Sequence, residues 1–242
     1  MNESPPDISS PPEELPHHSL PSPGETARVK PVGRLVSGAL YLVHRRGSLY
    51  VVSENYSYKT EPYYFILSRE LSGTQIFPGS SSVLDAYIVP VCLDRASRAG
   101  IPVAECTISQ SCGKVPAILY GLNYFSCASE YAVVQSMDAA RDVIRHITNS
   151  GKYPFCYQPL DDDDDVVQTH AIFGRIQGFG EEELARSAEL LFSEFHIPLV
   201  TMVWIHRDGH YLLSSLTPTR YSTLSPVEKS LLRGCLSGQE FL

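Results

Sequence analysis

The stretch from Pro198 to Pro218, PLVTMVWIHRDGHYLLSSLTP, constrains the fold more than any other part of the chain. Two apolar runs flank Asp208-Gly209, and both turn residues tolerate the positive φ of a tight hairpin turn. The sequence therefore predicts an antiparallel strand pair whose second strand ends in Ser214, Ser215 and Thr217. Behind it, Ser225 and Glu228 have the spacing of a capping box and predict a final helix. Ahead of it, EEELARSAELLFSEF predicts another helix.

Upstream, the same punctuation continues. GALYLV and SLYVV, joined at Arg45-Arg46-Gly47, read as a hairpin. Pro62 suits the first turn of a helix through YYFILSREL, which Gly73 stops. Ser82 and Asp85 give a capping signal for the helix VLDAYIV, and Pro90 is expected to kink or divide it before VCLDRASRAG. IPVAECTI, Ala117–Tyr120 and Tyr131–Val134 read as strands. A helix is expected from about Met137 to Thr148, with Ala140, Ile144 and Ile147 on one face and Gly151 closing it. PFCYQ and VVQTHAIFG follow as strands around the acidic loop Pro159–Asp165.

Residues 1–32 contain eight of the 18 prolines and almost no large apolar side chains. Ordering them would cost entropy that burial could not offset, so they are expected to be a disordered tail. The tail carries five acids against two bases, and Asp161–Asp165 add five acids, which together account for the formal charge of -8. A neutral body with acidic appendages lacks the basic face that sequence-independent nucleic-acid binding requires. The longest apolar run, Ile197 to Ile205, is half of a membrane span, and no basic-then-apolar leader opens the chain. A cytoplasmic protein without membrane or nucleic-acid partners is expected. The six cysteines form no CxxC pair and the eight histidines show no ligand spacing, so packed thiols and no metal site are expected. No serine sits in a nucleophile elbow. Tyr56, Tyr58, Tyr63, Tyr64 and Phe65 suit either packing between lobes or a binding surface, with interface packing the plainer reading.

The order of these elements resembles the central and C-terminal lobes of the ATP-grasp superfamily, with the RimK-like carboxylate-amine ligases nearest in flavour. The likeness is carried over about residues 50–220 by LDRASRAGIPVAECTI, VPAILYGLNYFSCASEYAVVQSMDAARDVI, KYPFCYQPLDDDDDVV and LARSAELLFSEFHIPLVTMVWIHRDGHYLLSSLTP. The resemblance implies an α+β, ATP-grasp-like fold: a small N-terminal α/β lobe (33–108), then central (109–176) and C-terminal (177–242) mixed-sheet lobes. Such enzymes phosphorylate a carboxylate with ATP and let an amine displace the phosphate. Lysines hold the triphosphate, while carboxylates and an Asn hold magnesium.

This sequence departs from that pattern at the charged positions. Tyr120 stands where a phosphate lysine is expected, Ser215-Leu216-Thr217-Pro218 replaces Glu-x-Asn-x-Pro, and Met202 or a neighbour replaces a metal-binding Asp. No catalytic residue and no metal ligand is assigned. By the resemblance, Tyr120, Asn123, Gln158, Leu160, Asp161, Ser215 and Thr217 line the nucleotide cleft, with Leu160 meeting adenine and Asp161 the ribose. Plainer readings stand beside these. The acidic run can be a solvated, self-repelling loop, Gly121–Glu130 a packed aromatic loop, and SSLTP an edge strand whose hydroxyls serve local backbone groups. The expected function is a degenerate relative of the ligases that binds a nucleotide, small molecule or protein. Its partners are left open among another protein, a second copy of the chain and a small molecule. No cofactor is certain; ATP and magnesium follow if the ancestral function is kept. The alternative is an active ATP-dependent carboxylate-amine ligase with atypical metal ligands.

Overall fold

The computed structural model describes residues 34–45, 47–122, 131–178 and 181–237; the tail 1–32, Arg46, Asn123 and the rest of 123–130 lie outside them. The first hairpin is β1 (Tyr41–Arg45) and β2 (Ser48–Val52), and a two-residue strand, β3 (Ile76–Phe77), pairs parallel to β2. Between β2 and β3 lies α1 (Glu61–Leu71), with Pro62 in its first turn and Gly73, at φ 75°, just past its end. The two-residue β3 has too little text to register as a strand in the sequence.

The helix expected from Ser82 starts two residues earlier, as α2 (Ser80–Tyr87). The Ser82–Asp85 capping signal is therefore wrong. Gly79 is the N-cap, and the Glu70 carboxylate of α1 accepts from the Ser80 N–H (2.9 Å) and hydroxyl (2.5 Å). Asp85 instead pairs with Arg95 at 2.7 Å. The division before Pro90 is real: Ile88 turns extended, and α3 (Val89–Arg98) begins with Pro90 in its first turn. Its Val89, Cys92, Leu93 and Ala96 recur at helical spacing and are buried.

IPVAECTI is mostly not a regular strand. Only Thr107–Ser109 (β4) joins a sheet. Its first half runs along the edge of the last strand instead, with Leu213 N–H donating to Pro102 O and Ala104 N–H to Leu213 O, both at 2.8 Å. The second sheet is antiparallel in the order β4–β7–β5–β6, with β5 (Ala117–Gly121), β6 (Ala132–Val134) and β7 (Phe155–Pro159). The helix α4 (Met137–Ile147) is capped by the Ser136 hydroxyl and ends before Asn149, Ser150 and Gly151, all at positive φ.

The third sheet is antiparallel, β10–β9–β8, from β8 (Asp165–Ile172), β9 (Leu199–Arg207) and β10 (His210–Thr217). Asp208 and Gly209 take φ 51° and 78°, as the hairpin requires. Helix α5 (Glu182–Phe195) buries Leu184, Ala188, Leu191 and Phe195, and α6 (Pro226–Leu236) starts with the expected Ser225–Glu228 capping box. One apolar core runs from Val51 through α2, α3, Tyr120 and Leu160 to Trp204 and Leu216. In the aromatic cluster, Tyr56 and Tyr63 are buried while Tyr58 and Tyr64 are exposed. The described cysteines are free thiols. Among the described residues no helix is long and apolar enough to cross a membrane.

Candidate functional site

The second and third sheets are tied together by three side chains that the sequence keeps far apart. Tyr120 on β5, Gln158 on β7 and Ser214 on β10 are all essentially without solvent exposure. The Ser214 hydroxyl donates to Gln158 Oε1 at 2.5 Å, and Gln158 Nε2 donates to the Ser214 carbonyl at 2.8 Å. A serine has one hydroxyl proton. The 2.5 Å contact between Tyr120 Oη and Ser214 Oγ therefore has the phenol as donor. Burial pushes the Tyr120 phenol well above its usual pKa, so it stays neutral and keeps that proton.

Ser214 reaches this place through a register shift between Leu213 and Ser215, which leaves it as the extra residue of β10 opposite β9. A bulge re-aims side chains in this way. Ser215, also fully buried, lies near Tyr120, yet its hydroxyl makes no hydrogen bond of normal geometry. Ser214 is the member of the network that sequence reasoning passed over, because alternation alone does not reveal a bulge.

Leu160 and Asp161 follow Gln158 but do not join this network. Of the Leu160 backbone groups expected to meet adenine, the N–H donates to Pro116 O at 2.9 Å, and the side chain is buried in the main core. Asp161 is exposed and pairs with Lys114 Nζ at 3.0 Å. Asp164 holds Arg207 through both carboxylate oxygens, and that contact keeps its pKa below the usual carboxylate range. Its second oxygen also accepts the Asp161 N–H at 2.8 Å. The acidic run is thus a folded turn pinned by Arg207 and Lys114, with Asp162 and Asp163 left exposed, rather than a uniformly solvated loop.

Thr217 stands on the other side of Ser215. The paired rows His170–Thr201–Thr217 and Gln168–Val203–Ser215 run across β8, β9 and β10. Gln168, His170, Thr201 and Thr217 line a pocket of about 490 Å³, together with Glu54 and Arg220 among others. Met202 points the opposite way into the core, so Thr201 is the β9 residue beside Thr217. Its hydroxyl is bonded to that of Thr219 at 2.8 Å. Glu54 is already engaged: one oxygen accepts from the Ser37 hydroxyl (2.8 Å) and the Gly38 N–H (2.7 Å), the other from the Tyr221 N–H. His170 Nδ1 lies 3.1 Å from Glu228 Oε1. Burial opposes the Glu228 charge, but the bonds from Ser225 and the neighbouring His170 outweigh it and hold its pKa low. Among the described residues no group of three or more His, Cys, Asp or Glu is placed to hold a metal ion. Glu54, His170, Thr201 and Arg220 gave no sequence signal, since His170 and Thr201 meet by pairing of β8 with β9 while Glu54 and Arg220 come from the segments after β2 and β10.

No protein-family model and no curated protein sequence matches the chain. Solved structures do match. A RimK domain ATP-grasp protein from Sphaerobacter thermophilus aligns over 74% of this chain and 76% of its own, with a TM-score of 0.55 at 13% identity. The D-alanine-D-alanine ligase from Helicobacter pylori aligns over 73% of this chain and 65% of its own, with a TM-score of 0.53 at 11% identity. The D-alanine-D-alanine ligase from Coxiella burnetii covers 76% and 65%, with a TM-score of 0.55 at 9% identity. The chain thus spans about two thirds of the length of those two ligases, and the likeness is one of fold.

Proposed function

We propose that this chain, which has the ATP-grasp fold, is a binding protein and not a ligase, its nucleotide cleft closed by the Tyr120–Gln158–Ser214 network. That network is the observation that carries the reading. Three neutral, buried side chains, hydrogen-bonded to one another, fill the place where the resemblance expects a lysine on the triphosphate. A triphosphate there would lose its hydration against groups that carry no countercharge.

Two further observations support it. The Leu160 N–H that would read adenine is committed to Pro116. The strand-end positions that would hold magnesium are Thr201, Ser215 and Thr217, and magnesium gives up water reluctantly without a carboxylate. These residues do not fit magnesium–ATP. The acids that the rival reading would use, Asp161–Asp165 or residues lent by a second subunit, form no part of the network, and Asp161 and Asp164 among them are bound to Lys114 and Arg207. The pocket of about 490 Å³ beside Thr217 is of small-molecule size and is the place proposed for a polar ligand. A cytoplasmic location belongs to the same proposal.

Calorimetric titration with millimolar magnesium–ATP, run beside an assay for ADP release, tests the reading. No saturable heat and no ADP above the buffer rate is the expected result. Metal-dependent saturation would show that the cleft is open to nucleotide, and ADP release lost in Thr217→Val would show ATP-consuming chemistry with atypical metal ligands; either result would overturn the reading.

A further inference from the structure

A second concavity, of about 380 Å³, lies at the junction of the segment before β1 with α6, and its lining carries three cations and no acid. Arg34 comes from the segment before β1; Lys229 and Arg233 lie four residues apart on one face of α6. Like charges at that spacing repel and weaken a helix. The ion pairs of the body lie elsewhere: Arg95 with Asp85 and Glu194, Lys114 with Asp161, and Arg207 with Asp164. None of Arg34, Lys229 and Arg233 has an ion-pair partner among the described residues. The nearby acids are committed: Glu54 to Ser37, Gly38 and Tyr221, and Glu228 to Ser225 and His170. Three cations thus converge on one hollow whose lining holds no acid, and among the described residues the one polar contact of their charged groups is Lys229 Nζ on the Ser222 carbonyl, at 3.5 Å.

The rest of the lining limits what would neutralise them. Tyr221 is 3% exposed and fixed at both ends, by its hydroxyl on Ala39 O (3.1 Å) and its N–H on Glu54. With Leu35 it gives the hollow an apolar wall, while Ser37 and Ser222 line it as well. Guanidinium forks match the oxygens of phosphate and carboxylate, and three positive charges favour a dianion over a monoanion. We propose that this pocket binds a small organic phosphate monoester, its phosphate among Arg34, Lys229 and Arg233 and its carbon body against Tyr221 and Leu35. The site is separate from the pocket beside Thr217 and does not depend on what that pocket holds.

The test is calorimetric titration of the full chain at low ionic strength with phenyl phosphate, inorganic phosphate and benzoate. Saturable binding of phenyl phosphate is expected, weaker by about tenfold or more in Lys229→Ala/Arg233→Ala and unchanged in Arg220→Ala, with affinity falling as salt is added. Both substituted side chains are partly or fully exposed, and unaltered Trp204 emission shows that the variant is folded. No saturation, equal affinity in the double variant, or loss only in Arg220→Ala would overturn the site. Inorganic phosphate binding as tightly as phenyl phosphate, or benzoate binding more tightly, would overturn the ligand class.

Discussion

Removing the Ser214 hydroxyl alone should destabilise the protein more than removing it together with the Tyr120 hydroxyl. Tyr120→Phe deletes one donor and leaves Ser214 still bonded to Gln158, so it forfeits a single hydrogen bond, about 1 kcal/mol. Ser214→Ala strands two buried groups, the Tyr120 O–H and Gln158 Oε1, at about 1–3 kcal/mol each, or roughly 4 kcal/mol together. The Gln158 amide bond to the Ser214 carbonyl survives in every variant. With both changes only Gln158 Oε1 is stranded, so the pair should cost about 2 kcal/mol, less than Ser214→Ala alone. Trp204, the single tryptophan and fully buried, reports unfolding in urea or on heating. At this size each kcal/mol moves the thermal midpoint by roughly 2–4 °C. Ser215 lies beside the phenol with its hydroxyl unused and could rescue it, so the cycle is repeated in a Ser215→Ala background. A double variant as unstable as Ser214→Ala, or a cost for Ser214→Ala below about 0.5 kcal/mol, would show that the sheets do not meet through a dry network.

Ser225→Ala removes the N-cap of α6 and should cost about 1 kcal/mol, seen as a lower thermal midpoint. Asp164 has its pKa lowered by Arg207, so its contribution is complete above the ordinary aspartate pKa and disappears as pH falls through the lowered folded value. Stability measured between about pH 6 and about pH 2 should therefore fall less steeply in Asp164→Asn than in the parent chain. Gly174→Ala should destabilise by more than about 1 kcal/mol, because φ is +75° and the new methyl would stand 2.8 Å from Phe192 Cβ. Unchanged urea midpoints in that variant would contradict the packing of α5 over the turn after β8.

What the sequence made legible was set by neighbours in the chain. Asp208-Gly209, Pro90, Gly151 and the Ser225–Glu228 pair each act within one turn, and each sits where its local chemistry requires. Elements decided by remote partners were not legible. Ser82 lost its capping role because Glu70, on another helix, supplies acceptors at Ser80. The lead-in segment reads as a strand, but its first half bonds to Leu213, across more than a hundred residues, and only three residues enter the second sheet. In the candidate site, the loss of charge at Tyr120, Ser215 and Thr217 was plain from residue types. What replaces it was not, since Tyr120 and Ser214 are 94 positions apart and a bulge decides which serine they share.

The bonds of Pro102 and Ala104 to Leu213 also bear on how the chain is made. While a ribosome is still adding residues near 200, the segment after α3 has no strand to lie against, and the main core is missing Leu213 and Leu216. Native closure must wait for the last hairpin to emerge, so the segment after α3 stays exposed to proteases and chaperones until synthesis is nearly complete.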